Sequence, residues 1–576
     1  MTSTAFLKYI PTLFPYRRVY LRGDLAAGIT VGVLLVPQGM AYAMIAGLPP
    51  IYGLYASLIP QLVYAVSGSS RQLSVAPVAM ISLLIGAGVS RYAERGSEEY
   101  IALAIALALM VGLLQLAFGL IRLGYLVNFL SKPIISGYTS AAAIIIGLSQ
   151  LKHLLGVEMP ASNLIPEIVQ QTAMHLAQTH PVTLITGVTG VAFIVALRRI
   201  NKKLPAPLLA VGLGIAMVYL LGPETTGLRI VGDVPAGLPG FRLPALNTMA
   251  GADLFSVAVL IALVGFMESI TISKAIQARK KTWGVSANRE LVALGLSNIA
   301  GSFFHSFPVS GGFSRSAVNE ASGANSSLAS VISALVVALT LVLLTPLFYY
   351  LPNALLASVI MVAVAGLIDL RYPLHLWVAD RRDFWMLITT FLFTMLFGVQ
   401  TGILTGILLS IALVVYRTAN PHIARLGKLR ETDFYRNLDR FPDAIDREDA
   451  LVFRFDAQLF FANAQFFRER MAAMIREKGP GLKVIVLNAQ SINNLDSTAS
   501  EVLMDIVSDC QQQGIAFYLT EVIGPVRDVL WRTGMLDKIG ADHFQMRIQD
   551  ALEHFDRQTS GSQSYATQAN PATRRD

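Results

Sequence analysis

Residues 302–321 read SFFHSFPVSGGFSRSAVNEA and set proline, glycine, serine and arginine inside sequence that is otherwise apolar enough for a membrane span. Hydrocarbon tolerates irregular backbone only where protein or a water-filled cavity satisfies its polar groups. The proline and the two adjacent glycines favour an extended segment, and residues 314–319 are a typical helix start with Arg315 in the first turn. A helix that begins inside a bilayer offers free N–H groups and a positive dipole end, so this stretch predicts a binding site for an anion. The alternative is a polar loop at the membrane surface.

The composition of the chain is that of a membrane protein. Of its 576 residues, 54% are hydrophobic and 14% are charged, against about 25% charged in soluble domains, so most of the chain must lie in lipid. The first residues lack the continuous apolar core and the small-residue cleavage site of a signal peptide, so we expect residues 1–22 to remain as a cytoplasmic segment. The lone Cys510 can form no intrachain disulfide, which fits a reducing compartment.

The arrangement of apolar segments and basic loops predicts the topology. Apolar segments recur from residue 23 to 418, and with a half-helix after Gly312 they make about fourteen membrane elements. An even number leaves both termini on one face, which receives most of the loop arginines and lysines. The opposite face receives Arg91, Arg95, Lys152, Arg229 and Arg242. This bias predicts cytoplasmic termini and a cell (inner) membrane location, and it accounts for the net charge of +8 without a nucleic-acid partner.

A weak internal repeat divides the membrane part. An acidic residue opens the first and the eighth span, and a polar residue follows fourteen or fifteen residues later, Gln38 in the first copy and Glu268 in the second. Two elements further on, each copy has a short broken segment, at 76–79 and at 307–310. An odd number of spans in each half makes the copies inverted in the membrane, and paired broken segments point to a transporter's substrate site. The two copies span about 23–222 and 250–418.

After Tyr416 the sequence changes to that of a soluble protein. We interpret residues 419–447 as a polar linker, 448–556 as an α/β domain and 557–576 as a disordered tail. Strands are predicted at 451–455, 483–487 and 515–519, and helices at 463–475, 497–512 and 525–533. The alternation of strand and helix is typical of a sheet with helical crossovers.

Two side chains of the first span are candidates for binding an oxyanion. Gln38 and Tyr42 are four residues apart and share a helix face, where an amide and a phenol can donate hydrogen bonds. Such a pair also packs helix against helix, and this structural role is the alternative. The backbone N–H groups that follow Pro77 are expected to face those that follow Gly312 across one cavity.

Arg315 is the main candidate for holding the anion, and Glu268 is the candidate for proton coupling. The alternative role for Arg315 is a bridge to a helix C-terminus or to Glu320. Glu268 is the one acidic residue well inside a span of the second half, and a carboxyl group within a bilayer is a functional-site hypothesis. Its alternative role is a structural partner of Arg315 or of a serine. Importing a dianion against about 100 mV costs about 4.6 kcal/mol, so accumulation needs co-transported cations or counter-anions.

The soluble part shows no motif of an enzyme. It has no P-loop, no dinucleotide fingerprint and no metal-binding histidine spacing, so we predict no cofactor, no metal and no enzymatic activity. Residues 496–498, Asp-Ser-Thr, stand at a predicted helix start, where they either cap the helix or present Thr498 for phosphorylation. Capping is the favoured interpretation.

Together these residues resemble the sulfate permease (SulP) family, whose animal relatives, the solute-carrier anion exchangers, include pendrin and prestin. The resemblance covers nearly the whole chain. Its motifs are PQGMAYA at 37–43, AGLPP at 46–50, YGLY at 52–55, LSVAPVA at 73–79 and FSRSAVN at 313–319. The C-terminal part is similar to a STAS domain, with LDSTA at 495–499 as its signature loop.

The resemblance implies a polytopic α-helical protein with fourteen membrane segments in two inverted repeats of seven, arranged as a core and a gate, and a homodimer. It implies an elevator-like transporter with the anion between the third and tenth segments and, in proton-coupled members, a coupling glutamate in the eighth, which matches Glu268. The implied anion-binding residues are Gln38, Tyr42, Val78, Ala79, Ser314 and Arg315. STAS relatives are phosphorylated on a hydroxyl that matches Thr498. Ala499 stands where those relatives carry glycine, so this activity is not carried over.

The sequence therefore predicts a secondary active anion transporter that takes up sulfate by symport with protons. Dicarboxylate, bicarbonate and chloride stay open as substrates, because helix ends and one arginine define charge better than shape. A hypothesis of another class is a membrane-anchored anion sensor that signals through the STAS domain.

Overall fold

The computed structural model describes residues 16–125, 131–160, 162, 164–201, 205–222, 227–244, 252–280 and 284–568. The chain forms two compact units that divide after Ser410. Residues 1–15 of the predicted N-terminal segment lie outside the described residues.

The first repeat of the membrane unit consists of helices with one two-residue strand. Its elements are α1 (Leu21–Ile45), α2 (Ile51–Tyr55), α3 (Ile59–Ser67), β1 (Val75–Ala76), α4 (Ala79–Val89), α5 (Glu98–Leu120), α6 (Lys132–Ser149), α7 (Leu151–Leu155), α8 (Ile165–His175), α9 (Pro181–Ile200) and α10 (Ala206–Leu221). If α2 is counted with α3 and α6 with α7, and α8 is taken as a connection, the described residues of this repeat give seven segments.

The second repeat has the same order. Its elements are α11 (Ala252–Lys280), α12 (Ala287–Ser302), β2 (Ser310–Gly311), α13 (Phe313–Ala321), α14 (Leu328–Leu339), α15 (Asn353–Ala365), α16 (Arg371–Ala379), α17 (Arg381–Phe397) and α18 (Val399–Ala419). Helix α14 continues through a π-helical turn at Thr340–Leu344 and a 3₁₀ segment at Thr345–Tyr350. With α16 as a connection, the described part again gives seven segments, and the predicted fold of two inverted seven-segment repeats is confirmed.

Several of these helices have the length and composition of membrane spans. In the described residues, seven helical stretches are long and apolar enough to cross a bilayer. They are Arg18–Ile45, Glu98–Leu120, Lys132–Leu155, Pro181–Ile200, Leu254–Arg279, Leu328–Tyr350 and Val399–Ala419. The shorter apolar helix Ala79–Val89 has 11 residues, about half of the roughly 20 that a full span needs, and α13 has only 9. Both follow the broken segments that the sequence singles out.

The acidic residue that opens the first span joins the two repeats. Asp24 is fully buried, and its Oδ1 accepts hydrogen bonds from the backbone N–H groups of Asn325 (2.7 Å) and Ser326 (3.0 Å). These residues lie just before α14, so the carboxylate satisfies backbone donors at a helix start. Glycine allows the same two helices to approach closely, because a Cβ on Gly28 would lie 2.6 Å from the Ala329 carbonyl oxygen.

The second unit is an α/β domain around one six-stranded sheet. The strands are β3 (Ile423–Lys428), β4 (Tyr435–Asn437), β5 (Ala450–Phe455), β6 (Val484–Asn488), β7 (Ala516–Thr520) and β8 (Phe544–Gln545), in the order β4-β3-β5-β6-β7-β8. β5 to β8 run parallel, and β3 is antiparallel to both of its neighbours. The helices are α19 (Ala464–Lys478), α20 (Ser497–Gln512), α21 (Gly524–Arg532), α22 (Met535–Ile539) and α23 (Ile548–Gln568).

The core of this domain lies on both faces of the sheet. Along β5, Leu451 and Phe453 join one buried apolar cluster with α19 to α22, whereas Val452 joins a second cluster with α23. Successive strand residues point to opposite faces, so a strand that is apolar throughout must be covered on both sides. The predicted α/β class of this domain is confirmed.

Two predicted boundaries of this region differ from the structure. The linker predicted at 419–447 contributes β3 and β4 to the sheet. The charged Arg425 and Lys428 interrupt the apolar pattern of β3 and hide this strand in the sequence. The tail predicted as disordered from residue 557 continues as α23 to Gln568, and residues 569–576 lie outside the described residues.

Candidate anion-binding site

The two broken segments meet as a two-stranded antiparallel ribbon. Val75 lies opposite Gly311, and Ala76 lies opposite Ser310. The Gly312 N–H extends the ladder by donating to the Ser74 carbonyl at 3.0 Å. The extended backbone of each repeat is therefore satisfied by that of the other, as non-helical backbone at membrane depth requires.

A half-helix begins directly after each strand. α4 starts at Ala79 after Val78, and α13 starts at Phe313 after Gly312. In the described chain, neither start has a side chain that accepts a hydrogen bond from its first N–H groups. Uncapped donors and a positive dipole end attract negative charge.

Both half-helix starts line one cavity of about 560 Å³. All the residues predicted for the anion and for coupling line it as well: Gln38, Tyr42, Val78, Ala79, Glu268, Ser314 and Arg315. Phe307, Ser310 and Gly312 are buried, and Arg315 is only 3% exposed. The alternative of a polar loop at the membrane surface is therefore wrong.

The Arg315 guanidinium is held against the ribbon. Its Nη2 donates to the Ala76 carbonyl at 3.3 Å, while its Nε is buried without a partner in the described structure. The group lies close over Gly312, where a Cβ would come within 2.5 Å of Nη2. Glu320, the predicted alternative partner, is instead bonded to Arg279 at 2.8 Å.

Glu268 reaches the same cavity from α11. Its Oε2 is buried without a hydrogen-bond partner among the described residues, and within them no salt bridge joins it to Arg315. The neighbouring Ser269 helps to hold β2, since its Oγ accepts from the Gly311 N–H at 2.9 Å. The cavity thus holds an acidic and a basic side chain that are both open to a ligand.

A polar network that the sequence analysis missed holds β2 in place. The Asn298 Oδ1 accepts from the Val309 N–H at 2.8 Å, and its Nδ2 donates to the Gln115 Oε1 at 2.9 Å. The Ser310 Oγ donates to the Gly265 carbonyl at 2.7 Å. The only sequence signal for these residues is their polarity within apolar helices.

Other cavity residues were also missed by the sequence analysis. Tyr138 and Thr139 of α6, Thr271 of α11 and Arg198 of α9 line the cavity. Arg198 stands in the last turn of α9 and adds a second cation to the site.

Glu290 is another buried carboxylate, and hydrogen-bond donors surround it. It is fully buried in α12 and accepts from the Tyr64 hydroxyl at 2.8 Å and from the N–H groups of Ser69 and Ser70, each at 3.1 Å. The contrast with Glu268 is clear, because a carboxylate with this many donors stabilises its own packing and offers nothing to a ligand.

In the soluble domain, Thr498 stands exposed in the first turn of α20. Asp496 caps this helix, since its Oδ1 accepts from the Ala499 N–H at 2.9 Å, so the favoured interpretation of this loop is confirmed. Phosphorylation of Thr498 stays a prediction. Cys510 is buried on the same helix, and burial raises the pKa of its thiol to about 11.

A membrane protein built from two inverted repeats, with broken helices that meet at a polar cavity, has the architecture of a secondary carrier. Comparison with known families is consistent with this class. The sulfate permease family matches residues 21–390, and the STAS domain matches residues 441–551. The chain belongs to the sulfate permease family.

Relatives agree with this assignment, and solved structures agree with the fold. The chain is 37% identical to sulfate transporter 4.1, chloroplastic, of Arabidopsis thaliana over 95% of its own length and 83% of the relative. It is 34% identical to a probable sulfate transporter of Mycobacterium tuberculosis over 97% and 99%. In fold it resembles SLC26A9, with a TM-score of 0.87 at 24% identity over 97% of this chain and 94% of the other. It also resembles the transmembrane domain of the cyanobacterial bicarbonate transporter BicA, with a TM-score of 0.59 at 23% identity over 69% and 98%.

Proposed function

We propose that this membrane anion transporter takes up sulfate together with protons. The observation that carries the proposal is the convergence of two uncapped half-helix starts and Arg315 on one cavity. The substrate follows from the relatives, since the Arabidopsis and Mycobacterium proteins are described as sulfate transporters.

The cavity suits a small oxyanion. In the proposed complex, the sulfate oxygens accept hydrogen bonds from the first-turn N–H groups of α4 and α13, where the dipole ends favour negative charge. The Gln38 amide, the Tyr42 and Ser314 hydroxyls and the Arg315 guanidinium supply further donors. Arg315 is buried, so its contact with the anion is stronger than it would be at a surface.

Glu268 supplies a physical basis for proton coupling. When it is ionised, its charge offsets that of Arg315 at the same cavity, and when it is protonated, the cavity keeps an uncompensated cation. Anion and proton therefore bind with positive coupling. Protons carried with a dianion also remove the cost of about 4.6 kcal/mol that about 100 mV would otherwise impose.

The two walls of the cavity support alternating access by an elevator-like movement. The proposed anion ligands come from α1, α4 and α13, and Glu268 comes from α11. The facing wall comes from α6, α9 and α15 through Tyr138, Arg198 and Val362. We propose that the first group carries the anion past the second, as a core moves against a gate.

Location and assembly are further parts of the proposal. The basic-residue bias supports cytoplasmic termini and a place in the inner membrane, and the family resemblance supports a homodimer. Protease access to the C-terminal domain in right-side-out vesicles and cross-linking of the purified protein test these points.

The test of the function is uptake of radiolabelled sulfate into proteoliposomes under an imposed pH gradient. We expect saturable uptake that an acidic exterior stimulates. Arg315→Ala should reduce this uptake at least a hundredfold, because Arg315 and the bound sulfate form a buried charge pair and removing one partner of such a pair costs about 3–5 kcal/mol. Normal uptake by a folded Arg315→Ala protein would remove the assigned site. Competing dicarboxylate, bicarbonate and chloride test the substrate, and lack of counterflow for every anion would favour the sensor.

A further inference from the structure

Two adjoining cavities meet at the short helix α7, away from the half-helix starts. One, of about 50 Å³, is lined by Arg95, Lys152 and His153, and the other, of about 150 Å³, is lined by Lys152, His153 and Arg229. Because Lys152 and His153 line both, we treat them as one space, the α7 pocket. Its volume is well above the roughly 10–15 Å³ that one water needs.

The α7 pocket is strongly basic. Glu158 is the only carboxylate among its described lining residues, and it pairs with Arg229 at 3.1 Å with its side chain 84% exposed. Three cations and one carboxylate leave a net charge of +2.

Two of the pocket's cations, Arg95 and Lys152, lie near each other, and neither has a carboxylate partner among the described residues. Lys152 is close enough to Arg95 to be repelled by its charge, and in the described chain its ammonium group forms no hydrogen bond or salt bridge. Among the described residues Arg95 donates to neutral groups, with its Nε 3.0 Å from the Ser90 Oγ and its Nη2 3.4 Å from the Gly86 carbonyl. Repelling cations in a partly buried pocket are stabilised by an anion between them.

The pocket lies in series with the central cavity. On α1, Tyr42 lines the cavity and Met44 lines the pocket, only about 3 Å further along the helix axis. Along α1 the cavity comes before the pocket, and along α9 the pocket comes first. Thr183 near the start of α9 lines the pocket, and Arg198 near its end, about 22 Å further along the axis, lines the cavity. The α7 pocket is thus reached from the face opposite to the one that Arg198 approaches.

That face is poor in basic residues, and the few it receives gather here. Of the five loop cations assigned to it by the sequence, Arg95, Lys152 and Arg229 line the α7 pocket. Basic residues that only set the topology could lie anywhere on this face. Three of the five instead line one pocket, which favours a binding role.

We propose that the α7 pocket is a second anion-binding site, for a small inorganic anion such as sulfate or chloride, with Lys152 and Arg229 as its main ligands. Its role is to capture the anion on the outer face before transfer to the central cavity. The capturing role rests on the proposed transport, whereas anion binding at the pocket does not.

Binding is tested on the purified full-length protein with radiolabelled sulfate by a scintillation proximity assay. Arg315→Ala disables the central site, so a saturable component that survives in this variant reports the α7 pocket. We expect it to survive, to be lost when Lys152→Gln and Arg229→Gln are added, and to persist when Arg91→Gln is added instead. Arg91 is an exposed cation of the same face that does not line the pocket. Lys152→Arg, which keeps the charge, should retain binding.

Two results would overturn the site. One is the absence of any saturable sulfate or chloride binding in the Arg315→Ala variant, and the other is residual binding that Lys152→Gln with Arg229→Gln leaves unchanged. Size-exclusion elution and thermal unfolding of each variant identify misfolded protein, and Arg229→Gln alone, at an exposed position, supplies a mild variant if the double change does not fold.

The capturing role is tested by transport from the outer side of right-side-out vesicles. Lys152→Gln with Arg229→Gln should raise the half-saturating external sulfate concentration by about three- to tenfold at low ionic strength and less at high salt, with the maximal rate within about twofold. An unchanged external half-saturation overturns capture. If the wild type carries no sulfate at all, the proposed function fails and the binding assay still decides the pocket.

Discussion

Replacing Gly312 by alanine tests whether the position of the Arg315 guanidinium determines anion binding. The backbone of Gly312 has φ −96° and ψ 125°, which alanine adopts without strain. Its new Cβ would, however, lie 2.5 Å from Nη2 and 2.7 Å from Cζ of Arg315. Real Cβ atoms do not tolerate such contacts, so the end of this flexible side chain must move and the backbone can stay.

The size of the effect follows from the contact that is lost. A displaced guanidinium gives up its hydrogen bond to the Ala76 carbonyl and its place beside the half-helix starts. In the proposed complex the guanidinium also donates to the bound sulfate, and a hydrogen bond to a charged group contributes about 1.5–3 kcal/mol, where about 1.4 kcal/mol is a factor of ten. We therefore expect Gly312→Ala to weaken sulfate binding roughly 10- to 100-fold. The thermal midpoint should change little, because the lost Arg315 hydrogen bond to Ala76 opposes the gain from alanine's restriction of the unfolded chain.

The assay is sulfate binding and uptake measured beside thermal unfolding, with Gly265→Ala as the matched control. A Cβ on Gly265 would meet Ser310 at an ordinary 3.4 Å, so this variant adds the same methyl group near the same ribbon without moving Arg315. Wild-type affinity in Gly312→Ala, or an equal loss in both variants, would refute the reasoning.

Three further predictions concern other residues. Glu268→Gln should abolish the stimulation of uptake by an acidic exterior while sulfate exchange at equal pH persists, and pH-stimulated uptake in this variant would exclude Glu268 from coupling. Asn298→Ala should cost about 1–3 kcal/mol by leaving the buried Val309 N–H without its acceptor, seen as a lower thermal midpoint, whereas Ser297→Ala should cost less because that hydroxyl bonds only within its own helix. The native Cys510 thiol should react with maleimide at pH 8 much more slowly than a free thiol, since burial raises its pKa to about 11. Full labelling in denaturant is the control, and fast native labelling would contradict the buried position.

The sequence was most informative where polar residues, glycine and proline interrupt its apolar segments. The glycines and proline of the two broken segments, within apolar surroundings, were enough to predict half-helices and an anion cavity, because few other structures satisfy such backbone in lipid. Gln38, Tyr42 and Arg315 followed from helical spacing and from the cost of a buried charge, and the structure brings all three to one cavity.

What the sequence could not show depends on distant partners. Glu268 and Glu290 are both acids of apolar helices, and only the donors of Tyr64, Ser69 and Ser70, more than 200 residues away along the chain, reveal that Glu290 is structural. Arg198 looks like a loop cation until α9 is packed beside the half-helices. Strand β3 was missed because its charged residues interrupt the apolar pattern by which a strand is recognised in sequence.

The ribbon formed by β1 and β2 holds the proposed site together through backbone groups, whereas side chains supply most of the proposed donors to the anion. Its ladder consists of main-chain groups contributed by both repeats, so no exchange of side chains at Gln38, Tyr42 or Ser314 deletes a rung. In the proposed site, a substitution at one of those three positions changes the donors offered to the anion and leaves the backbone support of the two half-helices in place. Redesign of the substrate should begin there, and the ribbon should be left alone.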